Sequence, residues 1–159
     1  QDVCLVGLGA RDTLRMEMGY LLSGQDFLWP EIDAETKLPG DFLARTTLET
    51  CVPFGLDMSH DFLGKDALLS SADSKYRLWG MACLERGPSP RPGHQVFDGP
   101  GEESCMIGYV TSGGPSPSLG MMGIAMGYLE KCVQGSEVWI QASPRRRVRS
   151  EVRRPPFIN

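Results

Sequence analysis

Apolar residues recur at helical spacing over residues 11–22, where Leu14, Met18, Leu21 and Leu22 would form one buried stripe. Arg11 and Arg15 fall one turn apart on a neighbouring face, so their guanidinium groups can point into the same space. The turn Gly7-Leu8-Gly9 precedes this helix, and Gly24 is its expected stop. From residue 25 to 60 the periodicity breaks at Pro30, Pro39, Gly40, Pro53 and Gly55, leaving short extended pieces at 43–47 and 51–56. Residues 61–69 predict a short helix, with carboxylates near its start followed by Ala67-Leu68-Leu69.

After Ser70 the pattern becomes that of strands, expected at residues 76–84, 94–97, 106–111, 124–128, 137–141 and 148–152. Clusters of Pro, Gly and Ser at 87–93, 99–101 and 112–120 separate them. Short strands with such punctuation predict a small β-barrel or sandwich. No internal repeat is visible.

Composition narrows the function classes. The chain of 159 residues is 41% hydrophobic and 23% charged, as in ordinary globular proteins. Its net charge of −4 gives no reason to expect nucleic acid as a partner. No apolar run approaches the ~20 residues that cross a bilayer, so no membrane partner is expected. No basic region followed by an apolar core marks a signal peptide. Cys4, Cys51, Cys83, Cys105 and Cys132 form no C-x-x-C pair. They read as buried, reduced thiols of a cytoplasmic protein rather than a zinc or redox site.

Candidate chemistry is sparse. Gly7-x-Gly9 lacks the third glycine of a dinucleotide fingerprint, because position 12 is Asp12. Arg11, Asp12, Arg15 and Glu17 are either a solvated face with local ion pairs or an arginine clamp on a carboxylate or heterocycle. The run from Ser112 to Gly120 contains no nucleophile elbow and reads as a shaped turn that packs against a neighbouring domain. His60, beside Asp57 and Asp61, lacks metal-ligand spacing and reads as a surface residue. Arg145, Arg146, Arg147, Arg149, Arg153 and Arg154 alternate with Val148 and Val152, which suits the exposed face of a strand better than an acidic docking partner.

An ordered set of motifs carries a resemblance over nearly the whole chain. It begins with Gly7-Leu8-Gly9-Ala10-Arg11-Asp12-Thr13-Leu14-Arg15-Met16-Glu17, Gly24-Gln25-Asp26 and Thr46-Thr47-Leu48-Glu49. Asp61-Phe62-Leu63-Gly64-Lys65-Asp66-Ala67-Leu68, Arg86-Gly87-Pro88 and Gly108-Tyr109-Val110-Thr111-Ser112-Gly113 follow. Pro115-Ser116-Pro117-Ser118-Leu119 and Ala125-Met126-Gly127-Tyr128 complete it. Together they resemble the C-terminal half of the glycine cleavage T-protein (aminomethyltransferase) family. The resemblance implies a transfer of a one-carbon unit from the aminomethyl-lipoyl arm of an H-protein to tetrahydrofolate, with release of ammonia. It also implies that Arg11 contacts folate and that Phe54 lines the folate cavity, where Trp is commoner. No catalytic residue and no metal ligand is carried over, because the catalytic aspartate of the family belongs to its N-terminal half. The interval between Asp26 and Thr46 is longer than the usual family link.

The fold expected is therefore α+β. A partial α+β segment of ferredoxin-like type over residues 1–73 would carry the folate-binding face. A C-terminal six-stranded antiparallel β-barrel over residues 74–159 would close over the folate cavity. The expected partners are a lipoylated H-protein and either a missing N-terminal half or a second copy of the chain. The alternative is a catalytically inactive binding or assembly module on the same scaffold.

Overall fold

The computed structural model describes residues 3–29, 36–51, 56–130 and 132–158. Three helices come first: α1 (Leu8–Met18), α2 (Thr47–Thr50) and α3 (Lys65–Ser70). Six strands follow: β1 (Tyr76–Cys83), β2 (Gln95–Phe97), β3 (Met106–Ser116), β4 (Met122–Glu130), β5 (Glu137–Ser143) and β6 (Arg146–Arg153). They close into an antiparallel barrel in the order β1-β4-β3-β2-β5-β6, and β1 pairs with β6 to complete the ring. The expected α+β class with a six-stranded antiparallel barrel is what the chain forms. Closure gives every strand a neighbour on both sides.

The barrel wall is not uniform. Alternation along β5 and β6 puts Val138, Ile140, Val148 and Val152 inside and leaves the intervening residues toward solvent. In β1 and β4 the last six residues and the central six, respectively, are all buried, so both faces are covered. Trp79, Met81, Ala125 and Leu129 fill the interior with Val96, Val110 and Val138. Leu78, Ala82, Ile124, Met126 and Tyr128 point outward and pack beneath Met16, Phe42, Leu43 and Phe157. The N-terminal segment thus coats one side of the barrel as a second layer. Arg45 anchors this coat, with its guanidinium 4.4, 4.6 and 4.8 Å from the ring centroids of Phe42, Tyr76 and Tyr128. It also pairs with Glu49 at 2.9 Å.

Four local expectations are corrected. The first helix runs from Leu8 to Met18, not over 11–22, because Gly19 at φ 76° takes the left-handed conformation and its amide closes on Met16 O. The buried stripe is also different: Leu14 is 63% exposed and Met18 is exposed, while Arg15, Met16 and Glu17 face the barrel. The extended piece expected at 43–47 leads instead into α2, started by a capping box between Thr46 and Glu49. The piece expected at 51–56 lies largely outside the described residues.

The fourth correction concerns β3, which does not stop at residue 111. It continues through Ser112-Gly113-Gly114-Pro115-Ser116, paired with β4 from Met126 to Met122. These small residues are required by close packing rather than by a turn. A Cβ on Gly113 would lie 2.8 Å from the backbone of Pro90, and one on Gly114 would lie 3.2 Å from Met16 Cε.

Candidate functional site

The polar face of α1 meets β3 at two points. At the first, Arg15 donates from Nη1 to Asp26 Oδ2 at 2.8 Å and from Nη2 to Ser112 Oγ at 2.9 Å. Its Nε donates to Asp12 Oδ1 at 2.7 Å. Asp26 is fully buried, so its charge is tolerable only because every acceptor position is filled. Oδ2 also accepts the Leu22 amide at 2.9 Å, and Oδ1 accepts Thr111 Oγ1 at 2.5 Å and Ser112 Oγ at 2.6 Å. Two consecutive hydroxyls reach one carboxylate because β3 is bulged between Val110 and Ser112, which removes Thr111 from the strict alternation. Tyr128 adds a hydrogen bond to the Asp26 carbonyl at 2.8 Å, and burial pushes its phenol well above the ordinary value.

At the second point, four residues further along β3, Glu17 accepts from Ser116 Oγ at 2.5 Å. It also accepts the Ser118 amide at 3.1 Å and Ser118 Oγ at 2.9 Å. The Ser116 hydroxyl foremost, then the Ser118 amide and hydroxyl, hold this carboxyl below its ordinary value against the opposing effect of burial. The segment read from sequence as a shaped turn against a neighbouring domain therefore packs against the chain's own first helix.

These two clasps orient the N-terminal half of α1. Leu8, Gly9, Arg11, Asp12, Arg15, Leu22 and Gln25 line a cleft of about 340 Å³. Arg15 is committed to Asp26, so the two arginines do not form a clamp. Arg11 is exposed at the cleft, and its guanidinium makes no hydrogen bond or ion pair with another described residue. Gln25 Nε2 donates to Ser112 Oγ at 3.1 Å, and its side-chain oxygen accepts no hydrogen bond from another described residue. Phe54, the other expected folate residue, lies outside the described residues.

The remaining candidates resolve simply. His60 is exposed, 3.6 Å from Asp57, and among the described residues no group of three His, Cys, Asp or Glu is placed to hold a metal. Five of the six arginines of the run are engaged: Arg146 with Glu85, Arg149 with Glu137 and Arg153 with Glu151. Arg147 lies over Phe97, and Arg154 lies over Trp79. Of the free cysteines, Cys83 is buried while Cys4 and Cys105 are exposed, so the expectation of uniformly buried thiols does not hold. No described helix is long and apolar enough to cross a membrane.

Residues important to this site were visible in the sequence but not assignable. Asp26 carried no pattern beyond its place after Gly24-Gln25. Its only sequence signal is a charged residue that the fold must bury opposite Thr111-Ser112.

Comparison with known proteins agrees with this architecture. Residues 77–159 match the glycine cleavage T-protein C-terminal barrel domain family. The chain is 37% identical over 155 residues to a probable aminomethyltransferase of Halobacterium salinarum, covering 96% of this chain and 38% of that protein. It is 38% identical over 154 residues to an aminomethyltransferase of Aquifex aeolicus, with the same coverage of 96% and 38%. The crystal structure of glycine cleavage system aminomethyltransferase T from Bartonella henselae superposes with a TM-score of 0.69 at 30% identity, covering 96% of this chain and 39% of that one. The chain therefore spans well under half the length of these relatives. With its closed barrel and the helix clasped to β3, it belongs to the glycine cleavage T-protein C-terminal barrel domain family.

Proposed function

We propose that this chain is the C-terminal part of a tetrahydrofolate-dependent aminomethyltransferase, which moves a one-carbon unit from an aminomethyl-lipoyl carrier to tetrahydrofolate and releases ammonia. The observation that carries the reading is Arg11: a guanidinium without a partner among the described residues, held at a cleft by a helix that two buried clasps keep in place. Planar guanidinium groups suit the carboxylates and heterocycle of a folate. At about 340 Å³ the cleft is at the lower end of small-molecule sites and would take only part of such a ligand. The lining residues fit that role: Arg11 as cationic donor, the Gln25 oxygen as acceptor and Leu8 with Leu22 as apolar walls.

Bound tetrahydrofolate supplies the nitrogen that accepts the one-carbon unit. The chain's own residues contribute position and charge. Arg15 and Asp26 hold the helix, and Arg11 orients the ligand. The donor in this reading is a lipoylated H-protein, and the remaining wall of the cavity comes from the part of the longer relatives that this chain does not span.

A second reading, a binding or assembly module without chemistry, is favoured by one fact. The carboxylates nearest the cleft, Asp12 and Asp26, are both held by Arg15. Calorimetric titration of the chain with tetrahydrofolate separates these readings from a chain with no folate site. Binding that weakens by about tenfold on Arg11→Ala, the worth of one charge-assisted hydrogen bond, supports the folate cleft. Absence of heat at millimolar ligand removes it for this chain. Turnover with an aminomethyl-lipoyl donor, measured as ammonia release, then distinguishes the enzyme from the module.

A further inference from the structure

A second concavity lies away from Arg11 and shares no residue with that cleft. It is a groove of about 590 Å³ between residues 36–39 and the barrel, lined by Lys37, His94, Gln95, Tyr109 and Gln141 among others. Its size falls within the range of small-molecule sites. None of its described lining residues is acidic, in a chain whose net charge is −4. Residues 36–39 belong to the interval between Asp26 and Thr46.

The wall is seated closely. A Cβ on Gly93 would lie 2.8 Å from Lys37 Cβ, so only glycine lets the segment approach. His94 is fixed by its backbone, with its carbonyl accepting the Val110 amide at 2.8 Å. Its Nδ1 accepts the Arg91 amide at 3.2 Å, which leaves Nε2 to carry the proton of the neutral ring and to donate. Burial first, then the positive charges of Lys37 and Arg91, hold this imidazole below its ordinary value. Lys37 forms no ion pair with another described residue. Lys37 and His94 thus line the groove without a described counter-charge. Gln141 is already held, donating to Ser143 O at 2.6 Å and accepting from Arg147 Nε at 2.9 Å, which stiffens the far wall.

We propose that this groove binds a small, multiply charged oxyanion bearing phosphate or carboxylate groups, with Lys37 and His94 as its cationic and neutral donors. The site is independent of the folate reading, because no side chain serves both.

The chain has two histidines, so proton NMR of the intact chain can follow each imidazole during titration with inorganic phosphate, citrate or potassium chloride. An anion in the groove stabilises the imidazolium, so the His94 titration midpoint rises in phosphate or citrate while exposed His60 stays unchanged. Movement in phosphate alone narrows the ligand to phosphate esters, and movement in citrate alone narrows it to polycarboxylates; either upholds the site. Lys37→Ala should weaken the apparent affinity by about tenfold, and Lys37→Arg should restore it. Lys37 is exposed, so neither variant threatens the fold. No response of His94 to phosphate or citrate overturns the proposal. So does an equal response of His94 and His60 that potassium chloride reproduces.

Discussion

Arg11 and Arg15 stand one helical turn apart and have the same side chain, yet their surroundings give them opposite roles. Arg15 neutralises the fully buried Asp26, whereas Arg11 stands exposed at the cleft. Arg15→Ala would leave an uncompensated buried carboxylate, and the expected loss is about 3–5 kcal/mol in urea unfolding. Arg11→Ala should change stability by no more than about 0.5 kcal/mol, so its effect on tetrahydrofolate binding can be read without a folding artefact. Equal destabilisation by the two substitutions would contradict this division. Glu17 supplies a pH test. Its carboxyl is held below the ordinary 4.5 by Ser116 and Ser118, so the stability it contributes is complete above 4.5 and is lost as pH falls through the lower folded value. The stability difference between the parent chain and Glu17→Gln should therefore shrink on acidification. A difference that stays constant down to strongly acid pH would exclude the clasp as its source.

At the scale of elements, the strands of the barrel were legible because period-two alternation survives wherever one face meets solvent, as in β5 and β6. The register and length of β3 were not. Gly113, Gly114 and Pro115 carry loop propensity, and only the approach of Pro90 and Met16 explains them as strand residues. The capping box Thr46-x-x-Glu49 was a readable helix start, but its apolar context resembled an extended piece. The end of α1 rests on Gly19, whose φ of 76° favours glycine and whose missing Cβ leaves room for Pro155, 2.2 Å from where that atom would stand. Gly19→Ala should cost at least the ~1–2 kcal/mol of a left-handed non-glycine residue, with further loss from displacing Pro155. A thermal midpoint unchanged by this substitution would contradict both the left-handed conformation at Gly19 and the close approach of Pro155.

At the scale of the whole molecule, the apolar surface is unevenly distributed. Val3, Leu5, Val6, Leu8 and Leu14 are all exposed on the N-terminal arm and the first helix. An apolar face of this kind marks an interaction surface. The chain by itself should therefore self-associate with rising concentration in sedimentation velocity, and Leu8→Glu with Leu14→Glu should reduce that association while leaving the barrel folded. A monodisperse monomer at high concentration would refute it. Sequence alone determined the class of the fold, the number and order of the barrel strands and the family resemblance. All of these are written in local periodicity and in side chains whose identity is itself the signal. Tertiary structure alone decided that Arg15 and Glu17 turn inward, that Asp26 is the hub between helix and barrel, and that Lys37 and His94 line one groove. Those outcomes depend on which distant residues fill the space opposite, and a buried charge looks like a surface charge until its partners are brought to it.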